Sequence, residues 1–532
     1  MFEKLARGSG RLSRFVLKRE WLRIVIWTVC LVGMSVVVVL AFTRMFDTPE
    51  SRQEMVVAME NPAMVAMVGK SAGYANYTIG AMNAHMMMVF MAIAIGVMNI
   101  FMVVRHTRRD EELGRQELIR SLPVGHLAPL SATLMVAAAV NLVIGLGIGL
   151  AMAGLGVASV DFAGSILYGL ALGAVGLVFA GIAAVTAQLA QTARGATSIA
   201  MGILIVSYLV RAVGDMNAEW LSRLSPLGLV METEAAVNNI WWPVWVLIAI
   251  AAVLMVGALW LNEVRDMDQG FLPARPGRAN ASKWLQSPLG LSLRLMRGSI
   301  VAWVIVMLLF GASYGSVLGD TEAFSDTIAT MTGGVAAGED LAVAFVSVLM
   351  LILSLCACIP GLIMALKLRA EERRGRLEAI LAGSVDKGRI FWSYVGPALD
   401  FSLVAMVLAV VGLWSAGVAT METPIAFWEM LRAVLVFLPA VWMTVGLAAF
   451  LIGVAPKIAS WVWGFFVGSF LVVYVGNIVG LPEWAKRLTP FGWVSNAMVE
   501  DISWVPLIVT TGIAVALVLT GVYAYRRREM VS

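Results

Sequence analysis

Charge is the scarcest commodity in this sequence. Only 14% of its 532 residues are Asp, Glu, Lys or Arg, where an ordinary soluble domain carries about one-quarter. Hydrophobic residues make up 60% and the mean hydropathy is +0.87. No water-soluble core hides that much apolar surface, so the solvent of this chain is largely lipid. Histidine and cysteine are nearly absent, with three of each. Cys30, Cys356 and Cys358 all lie in apolar runs, and Cys356 and Cys358, two apart on a helix, point to different faces. This excludes a disulfide framework and a zinc site. No His, Cys or acidic cluster has catalytic or metal-ligand spacing, so an intramembrane enzyme has no constellation to work with. The first long apolar run is membrane-length and lacks a small-residue cleavage site, unlike a secretory signal. Net charge is +4, and no nucleic-acid partner is expected. Thirty of the 38 basic residues are arginine, a hint of a GC-rich bacterial genome.

What the sequence has is membrane-length apolar runs, each about 20 residues, enough to cross roughly 30 Å of hydrocarbon. Six are expected near 24–43, 81–104, 127–151, 163–187, 197–213 and 241–261. Six more follow near 299–318, 341–366, 390–414, 430–452, 459–480 and 504–525. With the N-terminus placed inside, the inner segments hold thirty basic residues. The outer loops then hold six: Arg44, Arg52, Lys70, Arg223, Lys486 and Arg487. Arg211 and Arg432 fall at outer helix ends, where long side chains snorkel. Such an imbalance orients the chain with both termini cytoplasmic.

The halves repeat. The inner loop after the second span reads Glu111-Glu112-Leu113-Gly114-Arg115-Gln116-Glu117-Leu118. The loop after the eighth reads Glu371-Glu372-Arg373-Arg374-Gly375-Arg376-Leu377-Glu378, so Gly-Arg-x-Glu recurs at an offset of 261. Arg223-Leu224-Ser225-Pro226-Leu227-Gly228 before the sixth span matches Arg487-Leu488-Thr489-Pro490-Phe491-Gly492 before the twelfth, at an offset of 264. The same side faces the cytoplasm in both copies, so the repeat is parallel. The expected organisation is a first transmembrane half at 1–261, a linker with a second amphipathic helix at 262–298, and a second half at 299–532. Pro273, Pro276 and Gly277 break the linker.

The two Gly-Arg-x-Glu loops are long and dense in both charge signs. The first predicts a helix from about Arg109 to Ser121, stopped by Pro123. The second predicts one from about Leu368 to Leu381, with Gly383 as its cap. A solvated loop whose arginines fix topology is the plainer reading; duplication of the motif favours docking of a cytoplasmic partner. Residues 1–22 alternate Phe2, Leu5, Leu12, Phe15 and Val16 with Lys4, Arg7, Arg11, Arg14 and Lys18, as in a basic amphipathic helix on a leaflet. Leu291 to Arg297 is its counterpart. The outer segments 214–240 and 481–503 are too long for turns and too apolar for free loops. They read as short helices dipping back from the surface, built around Pro226 and Gly228 in one copy and Pro490 and Gly492 in the other. Trp220, Trp241, Trp484, Trp493 and Trp504 suit the interface there.

Taken together, these features resemble the ABC-2 class of ABC transporter permeases, of the type V exporter kind. Both halves in one chain, with Glu112-Leu113-Gly114-Arg115-Gln116-Glu117-Leu118-Ile119 and the linker Leu272-Pro273-Ala274-Arg275-Pro276-Gly277, resemble the fused permeases of actinobacterial tetronasin-type antibiotic exporters. The resemblance covers nearly the whole chain. It implies an all-α polytopic fold of twelve helices in two parallel-repeat halves, in the bacterial cytoplasmic membrane. It also implies ATP-driven export of small hydrophobic or amphipathic compounds, with multidrug efflux and antibiotic resistance as the outcome. The loop after the second span of each half is then the coupling helix. That role falls on Glu112, Gly114, Arg115 and Glu117, and on Gly375, Arg376 and Glu378. Ala379 stands where the first half has Leu118, so the two contacts should differ. The partners implied are two copies of a separate cytoplasmic ATPase, which binds ATP and Mg; no cofactor belongs to this chain. Gly69-Lys70-Ser71 is no phosphate loop, because Met64 stands where that motif needs glycine.

Inside the spans, an acid at helix centre costs about 2.5–3.5 kcal/mol on insertion scales, so Asp400 should face a neighbouring helix or a water-filled path. His85, Asn99 and Asn141 are further candidates for a substrate path, although interhelical hydrogen bonding also explains them. Met86, within a methionine-rich stretch from Met82 to Met91, could offer an adaptable apolar surface. The competing class is an ion-driven secondary transporter of the major facilitator type, which shares the two six-helix halves. Its long outer segments and charged inner loops argue against it; Asp400 argues for it.

Overall fold

The computed structural model describes residues 7–60, 62–266, 269–272, 280–316, 318–319, 341–383, 385–421, 424–475, 483–494 and 503–529. The chain divides into two compact units, Met1–Gly277 and Arg278–Ser532. The linker residues Pro273, Ala274, Arg275, Pro276 and Gly277 lie outside the described residues.

Six long helices build the first unit: α1 Ser9–Met45, α2 Ile79–His106, α3 Ala128–Ala153, α4 Phe162–Leu189, α5 Ala193–Asn217 and α6 Trp242–Val264. Their starts are chemically marked. The side chains of Thr78, Asp161 and Thr192 each accept a backbone N–H, from Ala81, Gly164 and Gly195, and so cap α2, α4 and α5. Pro129 and Pro243 sit in the first turns of α3 and α6, where a missing N–H costs nothing. The centre of the unit is α4, which packs against α2, α3 and α6, while α1 packs on α3. Glycine lets α3 and α4 approach closely: a Cβ on Gly169 would lie 2.0 Å from the carbonyl oxygen of Gly145.

The second unit is built from α7 Pro288–Gly315, α8 Leu341–Glu372, α9 Lys387–Thr420, α10 Phe427–Leu435, α11 Leu438–Val454, α12 Val462–Phe470 and α13 Trp504–Arg527. Its packing repeats the first: α7 on α9, α8 on α11, and α11 on α13. Ser287 and Asp386 cap α7 and α9 in the same manner as the first unit's caps.

Among the described residues, eleven helical segments are long and apolar enough to cross a membrane, with α10 and α11 counted as one broken span. The expected eleventh span is shorter: α12 belongs to an apolar stretch Ala459–Val473, and 476–480 lie outside the described residues. Large apolar side chains stay exposed along these helices, among them Trp245, Val253 and Trp260 on α6 and Ile508, Val515 and Leu519 on α13. Among the described residues there is no strand, only an isolated bridge between Ala190 and Leu272. The chain is an all-α polytopic membrane protein.

Local expectations need correcting. The amphipathic N-terminal stretch is not a separate surface helix: from Ser9 it is the first part of the 37-residue α1. Leu291–Arg297 likewise lies within α7. Nothing in either sequence breaks the helix, so the basic turns extend the span.

Candidate functional site

The ends expected to face the cytoplasm carry the two Gly-Arg-x-Glu loops, and each loop is a pair of helical pieces bent at its glycine. In the first unit, Arg108–Glu112 is followed by Arg115–Arg120, with Gly114 between them at φ +67°. In the second, α8 runs to Glu372 and a new helix spans Arg376–Leu381, with Gly375 at φ +68°. A left-handed backbone at that angle costs a residue with a Cβ about 1–2 kcal/mol, so glycine is favoured at both positions. The single helices expected over 109–121 and 368–381 are therefore broken in two. Gly383 is not the left-handed cap; the helix before it ends at Ala382 in ordinary right-handed geometry.

The motif arginines hold the bend. Arg115 Nη1 lies 2.9 Å from Asp110 Oδ1, and Arg376 Nη1 lies 3.0 Å from Glu371 Oε2. Asp110 also takes Arg19 of α1, and Glu371 also takes Lys367, one turn back on α8, at 3.2 Å. Glu112 is already engaged: its Oε1 accepts the backbone N–H of Ala193 at 2.6 Å, tying the loop to the start of α5. Glu117 and Glu378 point outward and are exposed. Leu118, beside Glu117, is 73% exposed. Each loop thus offers a short, fixed helix with an outward carboxylate, next to Leu118 in one copy and Ala379 in the other.

The opposite ends carry the two segments expected to dip back from the surface. In the first unit they contain the helices Glu219–Ser222 and Pro226–Met231; in the second, Glu483–Lys486 and the tighter turn Pro490–Trp493. Ser225 caps one and Thr489 the other, each accepting a backbone N–H ahead of it. Gly228 and Gly492 do the same job: a Cβ would sit 2.0 Å from Ser222 O in one copy and 2.1 Å from Lys486 O in the other. Residues 495–502 of the second segment lie outside the described residues.

Of the candidate path residues in the first unit, Asn99 and Asn141 come together, and His85 is engaged elsewhere. Asn99 and Asn141 are buried and pair with each other, Asn99 Nδ2 to Asn141 Oδ1 at 3.0 Å and the reverse at 2.8 Å. Each also donates to the carbonyl one turn back, so this is a satisfied bond between α2 and α3. His85 is buried, with Nε2–H donating to the Gly69 carbonyl at 2.8 Å and Nδ1 accepting from the Tyr77 hydroxyl at 2.7 Å. Burial pushes the phenol of Tyr77 up, and that of neighbouring Tyr74 up to about 12, so both remain protonated donors. A cavity of about 310 Å³ opens beside His85, between the start of α2 and the segment 215–237. Met86 is half-buried against the core. Asp400 is exposed on α9 rather than packed against a neighbouring helix of its unit, because its position along the span fixed its depth and not the face it occupies.

The carboxylates just before each motif, Asp110 and Glu111 in one half and Glu371 and Glu372 in the other, were not singled out from the sequence. The signal was present, since both pairs stand at the motif's own offset of 261.

Apolar helices in two repeated sets, with a charged, ion-paired loop at one end of each set and short capped helices at the other, fit a polytopic membrane permease built from a duplicated half. The family described as "Multidrug efflux system permease Rv1217c, C-terminal domain" matches residues 15–261 and 285–526, one stretch in each half. The chain is 32% identical over 541 residues to "Multidrug efflux system permease protein Rv1217c" of Mycobacterium tuberculosis (strain ATCC 25618 / H37Rv), covering 98% of this chain and 96% of that protein. The chain belongs to this family of multidrug efflux system permeases.

Proposed function

We propose that this chain is the membrane-spanning subunit of an ATP-driven exporter of the ABC-2 class, which moves small hydrophobic or amphipathic compounds out across the bacterial cytoplasmic membrane. The observation that carries the reading is the duplicated loop. In both halves a left-handed glycine, an arginine paired to a buried carboxylate and an outward glutamate present the same short helix. A solvated loop that only fixed topology would not need a bend held twice by ion pairs. Two such helices suit two copies of a separate cytoplasmic ATPase, one per half, which would bind ATP and Mg. Hydrolysis would rock the halves as rigid bodies, and the termini would lie on the ATPase side. Efflux of several compounds, named for the Mycobacterium tuberculosis relative, fits the apolar character of the chain.

The test is reconstitution in lipid. Alone, the purified chain should not hydrolyse ATP. With a partner ATPase that co-purifies with the chain, hydrolysis should appear and rise when a hydrophobic cation such as ethidium is added as the probe. Hydrolysis by the chain alone, surviving a contaminant control, contradicts the reading.

A further inference from the structure

Two arginines that the sequence presents as ordinary charges flanking the membrane, Arg265 buried and Arg528 half-buried, sit in matching clusters. Arg265 follows α6, the last helix of the first unit, and Arg528 follows α13, the last helix of the second. Arg265 Nη2 lies 2.8 Å from Glu111 Oε2, while Arg108 Nη1 takes the other oxygen, Oε1, at 3.0 Å. Arg528 Nη2 takes Glu372 Oε1, while Arg369 Nη1 lies 3.3 Å from Oε2. In each half one carboxylate is shared by two arginines, one oxygen each. Glu111 and Glu372 have side chains only 4% exposed.

The inner arginine of each cluster reaches a third segment. Arg108 Nε donates to the Gln191 carbonyl at 2.9 Å, in the loop after α4; Arg369 Nε donates to the Pro456 carbonyl at 3.2 Å, in the loop after α11. The end of the second span, the loop after the fourth and the end of the sixth are thus fastened at one point. The partners are 154 and 83 residues apart in the first unit, 156 and 87 in the second. Gln188 and Gln269 add bonds to Arg265, and Lys387 Nζ donates to the Arg528 carbonyl at 2.7 Å.

The neighbouring carboxylate faces the other way. Successive residues of a helix point about 100° apart. Asp110 and Glu371 hold the motif arginine of the loop, five residues on. Glu111 and Glu372 hold the bundle. Two adjacent buried acids therefore join the loop helix to the last span of its half through charge-assisted, directional bonds, which are shorter and stronger than neutral ones.

We propose that Arg265 and Arg528 are positioning residues that carry a push on each Gly-Arg-x-Glu loop to the sixth span of the same half. The proposal rests on the export reading and deepens it: the ATPase bears on the outward face of the loop, and these arginines make the span move with it. Neither residue lies on the outward face, so replacing them leaves the docking surface in place.

The experiment measures ATP hydrolysed per ethidium moved in proteoliposomes holding the whole complex, for wild type, the Arg265→Lys/Arg528→Lys pair and the Arg265→Gln/Arg528→Gln pair. Lysine keeps the charge and loses the fork; glutamine loses both. ATPase association should be unchanged, and the ratio should rise in the order wild type, lysine pair, glutamine pair. The last step should reach about tenfold, the equilibrium change expected on losing a charge-assisted hydrogen bond. If the glutamine pair fails to insert, the lysine pair decides: a ratio above wild type supports the proposal. A wild-type ratio in any inserted variant overturns it. Failure of the export reading looks different, since the wild-type complex itself would then show no ethidium-stimulated hydrolysis.

Discussion

Asp400, Asn99 and Asn141 show how far single polar residues can be read inside a membrane protein. All three are legible as polar groups at span depth. Their surroundings are not, because the face a residue occupies depends on helix rotation. Asn99 and Asn141 lie 42 residues apart in sequence and form one reciprocal pair with both side chains buried. Asp400 is exposed. The two sites should therefore respond oppositely to leucine. Asn141→Leu leaves the Asn99 amide without its partner in a buried position, at a cost of about 1–3 kcal/mol. Asp400→Leu removes an exposed acid that makes no side-chain bond among the described residues. Thermal unfolding in detergent should show Asn141→Leu lowering the midpoint and Asp400→Leu leaving it unchanged or raised. A loss of stability at Asp400 comparable to that at Asn141 would show that the acid is paired.

At the scale of elements, the long helices were legible because membrane-length apolar runs leave few alternatives. Their boundaries were less so. The first span begins at Ser9, since helix propagation through the basic turns costs little once the span nucleates. The break in each loop was missed because glycine in a charged stretch was read as part of a motif rather than as a left-handed hinge. Those hinges place Glu117 and Glu378 outward, and a docking helix has little else to offer a partner's charges. Glu117→Arg or Glu378→Arg should weaken ATPase association in part, and the double variant severely, with membrane insertion intact. Each lost charge-assisted bond is worth about 1.5–3 kcal/mol. Co-purification of the ATPase with the chain is the measurement; normal recovery with the double variant would leave the loops with a topogenic role alone.

At the scale of the molecule, the duplication is plain in the sequence, yet the copies are not equivalent in detail. Glu112 caps α5 in the first half, and Arg373 stands at the matching position in the second. Leu118 is matched by Ala379. The first half ties its loop to α1 through Arg19 and Asp110. On the proposed reading, two identical ATPases would dock unequally because of these differences, with the first half's loop held to more of its bundle. What remains common is a fixed loop, a shared carboxylate and a last span, present twice; on the proposed export reading they would carry the energy of ATP into each half. Ethidium uptake into inside-out membrane vesicles containing the chain and a co-purifying ATPase tests this most directly. ATP should drive uptake, and an uncoupler that collapses the proton gradient should leave it intact. Uptake that needs no ATP and vanishes with the uncoupler would contradict the account and make the protein an ion-driven transporter.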